Sequence, residues 1–174
     1  MSNAMSIAVL TVSDSRTVAT DTSGQFLVDS LAEAGHHLGA RELVEDNIYK
    51  IRAVVSNWIA DEQIEVVLIT GGTGFTQRDT TPEAIVPLLH QEIAGYGELF
   101  RALSYKEIGA STVQSRAVGG LVNNTLVFCM PGSTGACRTA WNGIIKDQLD
   151  IDNKPCNFAE LLKTASYSHG ATSE

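Results

Sequence analysis

Short apolar runs alternate along the chain with longer segments in which apolar residues recur every three or four positions. The runs at residues 7–12 and 66–70 consist mostly of consecutive aliphatic residues, which is typical of strands buried on both faces. Residues 48–60 carry the clearest helical pattern, with their apolar side chains on one face of the helix. This alternation favours a mostly parallel sheet covered by helices.

Residues that begin and end helices place the next elements. Ser23 is a suitable N-cap for a helix that ends before Gly35, where a glycine commonly follows a helix. A weaker strand is predicted over residues 38–44. Pro82 fits the first turn of another helix, with Thr81 as its predicted N-cap.

The second half of the chain predicts a helix, a hairpin and a final long helix. Residues 95–108 form the helix, and residues 116–121 and 125–130 form two strands joined by a tight Asn-Asn turn. The last helix begins at residue 133 or 134. The predicted fold is therefore an α/β three-layer sandwich, a mostly parallel sheet with helices on both faces and one antiparallel hairpin.

Length and composition support a single globular domain. The chain has 174 residues, of which 44% are hydrophobic and 18% charged, so it can bury a core of ordinary size. Residues 1–4, before Met5, are interpreted as an expression scar, and residues 5–162 as the domain. Residues 163–174 are mostly small and polar, and we predict a disordered tail there.

Charge, apolar run lengths and cysteines exclude several classes of partner and location. The formal net charge of −8, without any lysine or arginine run, argues against nucleic acid as a partner. No secretory signal follows Met5, and no apolar run reaches the roughly 18 residues of a membrane span. Three cysteines without a Cys-x-x-Cys pair indicate reduced thiols. We therefore expect a cytoplasmic protein with no membrane partner.

Three predicted strands end in loops suited to a ligand, because ligands bind beyond the carboxyl ends of strands in open α/β sheets. These loops cover residues 11–15, 70–74 and 130–134. The glycine-rich loop at 70–74 either forms a nest of backbone N–H groups for an anion or is a turn that needs positive φ. In the loop at 130–134 an ordinary helix cap is the simpler interpretation.

Two acidic residues lie near these loops. Asp46 precedes the helix at residues 48–60, where either Asp46 or Asn47 can serve as N-cap. Asp46 is alternatively a partner of Asp79 beside the same phosphate-binding loop. The spacing of these residues does not choose between the two roles.

Several motifs of this chain occur together in one protein family. They are Thr-Gly-Gly-Thr-Gly at 70–74 with Arg-Asp at 78–79 and Thr-Pro-Glu-Ala at 81–84, Gln-Ser-Arg-Ala-Val-Gly-Gly at 114–120, and Met-Pro-Gly-Ser at 130–133. On these motifs the chain resembles the molybdopterin-binding domain family. Further segments, at 21–24, 100–104 and 155–158, look like the branch of molybdenum cofactor biosynthesis protein B. The resemblance covers nearly the whole chain after residue 4.

The resemblance implies a reaction in which molybdopterin and MgATP give adenylylated molybdopterin and pyrophosphate. The attacking phosphate has a second pKa of about 6, so it is mostly ionised at pH 7 and needs no general base. Positioning and charge neutralisation should therefore dominate, and we assign Asp46 and Asp79 to holding Mg²⁺. The residues expected to bind molybdopterin and nucleotide are Thr11, Ser13, Gly71, Gly72, Thr73, Gly74, Ser115, Pro131, Gly132 and Ser133.

One departure keeps a second function open. Active adenylyltransferases of the family usually carry Pro-Asp-Asp or Pro-Asp-Glu where this chain has Glu-Asp-Asn at residues 45–47. Because Asp46 and Asp79 are both present, we expect activity. The alternative is a binding-only relative that holds molybdopterin or nucleotide without turnover. A nucleotide pyrophosphatase, as in the related competence-damage family, shares the domain but has no support elsewhere in the chain.

The resemblance also implies partners. We expect a homo-oligomer, a trimer or a hexamer, and contacts with other enzymes of molybdenum cofactor biosynthesis. The apolar run at residues 117–122 is compatible with a subunit interface and equally with a core strand.

Overall fold

The computed structural model describes residues 4–169 and places a six-stranded sheet between two layers of helices. The strands are β1 (Ser6–Val12), β2 (His37–Val44), β3 (Val66–Thr70), β4 (Gln91–Glu92), β5 (Val118–Val122) and β6 (Thr125–Met130). The helices are α1 (Thr22–Glu33), α2 (Ile48–Ala60), α3 (Thr81–Ile85), α4 (Ala94–Ile108), α5 (Thr134–Ala140), α6 (Lys146–Gln148) and α7 (Phe158–His169). A π-helical turn, Trp141–Ile145, joins α5 to α6, and 3-10 turns follow α3 (Val86–Leu88) and α4 (Gly109–Gln114).

The sheet is mostly parallel and has the strand order β2-β1-β3-β6-β5-β4. β1 pairs in parallel with β2 and β3, and β3 pairs in parallel with β6. β5 is antiparallel to both β6 and β4. The predicted three-layer sandwich with an antiparallel hairpin is confirmed. The sequence pattern does not predict β4, because two residues are too few to show an alternation.

Each face of the sheet buries its own hydrophobic core. On one face Val9, Leu68 and Phe128 belong to a core that includes residues of α1, α4, α5 and α7. On the other face Leu10 and Ile69 belong to a core with residues of α2 and α3. Successive strand residues point to opposite faces, so a strand covered on both sides is apolar at nearly every position. This explains the uninterrupted apolar runs of β1 and β3.

The β5–β6 hairpin turns at Asn123 and Asn124. Both have left-handed backbone conformations, with φ of 47° and 63°. Positive φ at both central residues is the geometry of a type I′ turn, which suits two-residue hairpins, so the predicted turn is confirmed. β5 lies between β4 and β6, and Ala117 and Val122 are buried. The apolar run at 117–122 is therefore a core strand and gives no support for a subunit interface.

Two predicted helix caps are wrong, because tertiary contacts engage both hydroxyls elsewhere. α1 is capped by Asp21, while Ser23 Oγ donates to the carbonyl of Gly132 at 2.6 Å. Thr81 Oγ1 donates to the carbonyl of Gly71 at 2.8 Å, and α3 has the preceding threonine at its N-cap position. Both hydroxyls thus tie a helix start to a loop at the carboxyl end of a strand.

The C-terminal segment contradicts part of the sequence prediction. α7 continues through His169, so the predicted disordered tail is wrong for residues 163–169. The first turns of α7 pack against the rest of the protein, since Ala159 and Leu162 are buried in the core. Residues 170–174 and 1–3 lie outside the described residues, so the tail beyond 169 and the expression scar stay predictions. Within residues 4–169, each helix is too short or too polar to span a bilayer.

Candidate functional site

A cleft of about 460 Å³ lies over the carboxyl ends of β1, β3 and β6. Its walls come from the loops after these strands, because parallel strands bring their carboxyl ends to one edge of the sheet. The cleft brings together every residue predicted to bind molybdopterin or nucleotide, and Asp79 with them. Its lining residues are Thr11, Val12, Ser13, Arg16, Thr70, Gly71, Gly72, Thr73, Gly74, Asp79, Gln114, Ser115, Pro131, Gly132 and Ser133.

The glycine loop at residues 71–74 is packed closely against its own protein. Gly71 has a φ of +105°, and a Cβ there would lie 2.1 Å from the carbonyl oxygen of Val12. Gly72 has a φ of +67°, and a Cβ there would lie 2.3 Å from Thr81 Oγ1. The loop therefore needs glycine for its backbone conformation and for close approach. This requirement holds whether or not the loop also binds an anion.

Arg116 fastens this loop to the start of α3. Its Nε donates to the carbonyl of Gly74 at 2.8 Å, and its Nη2 donates to the carbonyl of Asp79 at 2.8 Å. Its Nη1 forms an ion pair with Glu83, and the guanidinium lies over the ring of Phe75 at 5.0 Å from the centroid. One planar side chain thus fixes both ends of the segment between the glycine loop and Asp79.

Replacing Arg116 with lysine should lower the free energy of unfolding by about 2 kcal/mol, because an ammonium cannot reproduce a planar fork of donors to two carbonyls. Urea denaturation measures this change. Arg138→Lys is the matched control, since Arg138 is exposed and its guanidinium lies over Phe26. It should change stability by less than about 0.5 kcal/mol. Equal losses in the two variants would contradict the role given to Arg116.

Asp46 lies beside the glycine loop without capping α2. Its Oδ1 accepts hydrogen bonds from Thr80, at 3.0 Å from the backbone N–H and 2.6 Å from Oγ1. Its Oδ2 lies 2.6 Å from the position of a Cβ on Gly72. The cap of α2 is Asn47, whose Oδ1 accepts from the N–H groups of the first helical turn. Asp46 is absent from the cleft lining but adjoins it at Gly72.

Asp79 lines the cleft as an ionised carboxylate. Burial raises its pKa, but hydrogen bonds from the hydroxyl and N–H of Thr76, a backbone bond from Gly74 and the charge of Arg116 outweigh this effect. The pKa of Asp79 therefore lies below its usual value. Thr76 Oγ1 and N–H lie 2.6 and 2.8 Å from Asp79 Oδ2. These contacts hold the carboxylate in one orientation.

The two carboxylates suit Mg²⁺ that arrives with a nucleotide. Within residues 4–169 no cluster of three His, Cys, Asp or Glu side chains forms a complete metal cage. Mg²⁺ in proteins is commonly held by one or two carboxylates together with substrate phosphates, and both Asp46 and Asp79 adjoin the glycine loop. The chemistry of the two carboxylates therefore fits Mg²⁺ that a nucleotide supplies. The metal assignment stays a prediction.

The hydroxyls predicted to bind a ligand differ in whether their hydrogen is already donated within the protein. Thr11 Oγ1 donates to Asp21 Oδ2 at 2.7 Å, so its hydrogen is engaged within the protein. Ser13 Oγ accepts two backbone N–H groups of its own loop, and Ser133 Oγ accepts one at 3.1 Å as the cap of α5. Because a hydroxyl carries one donor hydrogen beside its acceptor pairs, Ser13 and Ser133 can still donate to a phosphate oxygen.

Besides Val12 and Thr70, which also line the cleft, three residues of this region are missing from the predicted site. Gln114 lines the cleft and Arg116 supports it, and both flank Ser115 in the motif at 114–120, which is the signal that points to them. Arg16 also lines the cleft. It lies in an irregular loop after β1, and only the fold places it beside the start of α1.

Comparison with known proteins identifies the family of this domain. A family model described as a probable molybdopterin binding domain matches residues 8–150, well over half of the chain. The chain belongs to the molybdopterin-binding domain family. The resemblance inferred from the glycine-loop motif and its companions is confirmed.

Relatives within the molybdopterin-binding domain family match this chain along most of its length. Molybdenum cofactor biosynthesis protein B of Escherichia coli (strain K12) is 58% identical over 157 residues, which cover 90% of this chain and 92% of that protein. A crystal structure of molybdenum cofactor biosynthesis protein B is 46% identical, with a TM-score of 0.82 over 86% of this chain and 94% of that one. The tungsten cofactor synthesizing protein MoaB from Pyrococcus furiosus is 30% identical, with a TM-score of 0.72 over 97% and 96% of the two chains. The predicted similarity to the protein B branch is confirmed.

Proposed function

We propose that this protein acts in molybdenum cofactor biosynthesis by binding molybdopterin and adenylylating it with MgATP, releasing pyrophosphate. The observation that carries the proposal is one cleft lined by the glycine loop at 71–74 and by Asp79, with Asp46 adjoining it. The matching family model is described as a probable molybdopterin binding domain, which supports the pterin as one occupant.

In the proposed reaction the terminal phosphate of molybdopterin attacks the α-phosphorus of ATP. A new P–O bond forms while the bond to the β-phosphate oxygen breaks, and pyrophosphate leaves with that electron pair. No proton has to move, because a phosphate monoester with a second pKa of about 6 is mostly ionised at pH 7. The protein must therefore position two polyanions and offset their repulsion.

The cleft has groups suited to both tasks. The N–H groups of Gly71 and Gly74 bond within the protein, to Met130 and Asp79, so the N–H groups of Gly72 and Thr73 and the hydroxyls of Ser13 and Ser133 would hold phosphate oxygens. Asp46 and Asp79 would hold Mg²⁺, which when bound neutralises charge on the triphosphate. Hydrogen bonds from Thr80 and Thr76 already orient the two carboxylates. Such preorganisation reduces the cost of assembling the site.

The test is to incubate the purified protein with molybdopterin, ATP and Mg²⁺ and to measure pyrophosphate. We expect release of one pyrophosphate for each adenylylated molybdopterin. Calorimetric binding of either ligand without pyrophosphate release would instead support the binding-only alternative. That alternative is favoured by Asn47, which stands where active relatives carry a second carboxylate and here caps α2.

ATP binding should depend on Mg²⁺. The net charge of −8 and the carboxylates of Asp46 and Asp79 repel a free triphosphate. Calorimetric titration should therefore show affinity for ATP at least ~10-fold weaker with a chelator than with Mg²⁺. Equal affinities under the two conditions would remove the metal-binding role from Asp46 and Asp79.

We also propose a homo-oligomer, a trimer or a hexamer. The resemblance to the family motivates this proposal, and three apolar side chains at and after the end of α4, those of Tyr105, Ile108 and Val113, are each more than half exposed. Light scattering coupled to size exclusion should give three or six times the chain mass of 18.6 kDa. A monomer at micromolar concentration would be incompatible with this proposal. Contacts with other pathway enzymes and a cytoplasmic location stay predictions.

A further inference from the structure

Arg16 places a guanidinium in the wall of the cleft. Its Nη1 donates to Ser23 Oγ at 2.5 Å, so the side chain lies against the start of α1. The side chain is 31% exposed, and it shares the cleft wall with Ser13, Gly132 and Ser133. Among the described residues that line the cleft, Arg16 is the only lysine or arginine.

The charge of Arg16 is not fully balanced by the protein around it. The nearest carboxylate is that of Asp21, which is buried and accepts from Thr11 Oγ1 at 2.7 Å and from Arg41 Nη2 at 3.1 Å. Arg16 Nη1 lies farther from Asp21, at 3.7 Å. Two guanidinium groups thus face one carboxylate, and Arg41 takes the shorter contact. The positive charge of Arg16, which lines the cleft, is therefore not fully neutralised by a close carboxylate.

The cleft consequently has two ends of opposite charge. Arg16 contacts α1, which packs on one face of the sheet. Asp46 contacts Thr80 just ahead of α3, which packs on the other face. The carboxylate of Asp79 belongs to this second end, since it follows the glycine loop and precedes Thr80. An anion without a metal is attracted to the first end and repelled by the second.

We infer that Arg16 binds a phosphate monoester dianion and so determines which substrate occupies the α1 end of the cleft. The inference rests on the proposed function and adds a division of the site between its two substrates. The metal-bound triphosphate takes the end with Asp46 and Asp79. The monoester of the pterin carries no metal and takes the end with Arg16, whose planar fork of N–H donors fits two phosphate oxygens.

The inference is tested with Arg16→Gln, Arg16→Lys and the control Arg138→Gln, which removes an exposed guanidinium outside the cleft lining. Molybdopterin and inorganic phosphate are titrated without metal, and ATP is titrated with Mg²⁺. Arg16→Gln should lower the affinity for molybdopterin and for inorganic phosphate at least ~10-fold, the scale of losing a charge-assisted hydrogen bond. It should change the Kd of MgATP by less than about threefold. Arg16→Lys should recover part of the loss, because it restores the charge without the fork.

The outcomes separate this inference from the proposed function. Arg16-dependent phosphate and molybdopterin binding in a wild-type protein that releases no pyrophosphate would support the Arg16 site and refute the adenylyl transfer. Unchanged molybdopterin affinity in a folded Arg16→Gln variant would overturn the inference, as would a larger loss for MgATP than for molybdopterin. The inference would also be overturned if Arg138→Gln lowered the affinity for molybdopterin as much as Arg16→Gln does. If the wild-type protein is active, Arg16→Gln should raise the KM for molybdopterin and leave the KM for MgATP unchanged.

Discussion

Replacing Asp79 with asparagine is expected to lower the rate of molybdopterin adenylylation at least ~10²-fold, the scale of losing one preorganised electrostatic group. Asp46→Asn should have a similar effect. Asparagine keeps an oxygen that accepts the bonds from Thr76 or Thr80, so both variants should remain folded. Binding of molybdopterin should weaken far less, since Mg²⁺ held by the two carboxylates would neutralise charge on the triphosphate and act mainly on the transition state. Pyrophosphate release and calorimetry measure the two quantities.

Asp29→Asn is the control for the change in net charge. Asp29 is exposed in α1 and accepts a hydrogen bond from Gln25, outside the cleft lining. Its loss should leave the rate unchanged. Helix capping does not complicate the Asp46 variant, because Asn47 provides the cap of α2. A fully active Asp79→Asn enzyme would mean that the metal lies elsewhere.

Gly71→Ala is expected to cause the largest loss of stability, several kcal/mol in the free energy of unfolding. The backbone φ of +105° strains any residue with a Cβ, at about 1–3 kcal/mol. The added Cβ would also lie 2.1 Å from the carbonyl oxygen of Val12, a backbone atom of the sheet that cannot swing aside. Overpacking of this kind typically adds another ~1–3 kcal/mol. Chemical denaturation measures the total.

Two other glycines separate the causes of this loss. Gly35 has a φ of +84° with nothing within 4 Å of an added Cβ, so Gly35→Ala should show the backbone strain alone. Gly95 lies in α4 with open space around it, and Gly95→Ala should stabilise the protein by roughly 0.5–1 kcal/mol. If Gly71→Ala cost no more than Gly35→Ala, the contact with Val12 would have no energetic weight.

The positions of the elements were largely predictable because helix and strand periods are local properties of the backbone. The apolar runs of β1 and β3 and the stripe of α2 depend on neighbours a few residues away, and their bounds agree closely with the structure. The caps of α1 and α3 were predicted wrongly for the opposite reason. Ser23 and Thr81 have the right chemistry for caps, but the carbonyls of Gly132, 109 residues away, and Gly71, 10 residues away, engage their hydroxyls.

The class of fold and the loops that line the cleft were predictable from short segments of the chain, and the family was recognisable from the motifs that this chain shares with it. The choice between Asp46 and Asn47 as the cap of α2 required the fold, since the contact that engages Asp46 comes from Thr80, 34 residues away. The unbalanced charge of Arg16 likewise depends on the fold, because Arg41 in β2 contacts Asp21 at the start of α1 and so takes the carboxylate nearest to Arg16. Such contacts join residues far apart in the chain, and no local pattern of side chains shows which of two candidate partners forms the contact.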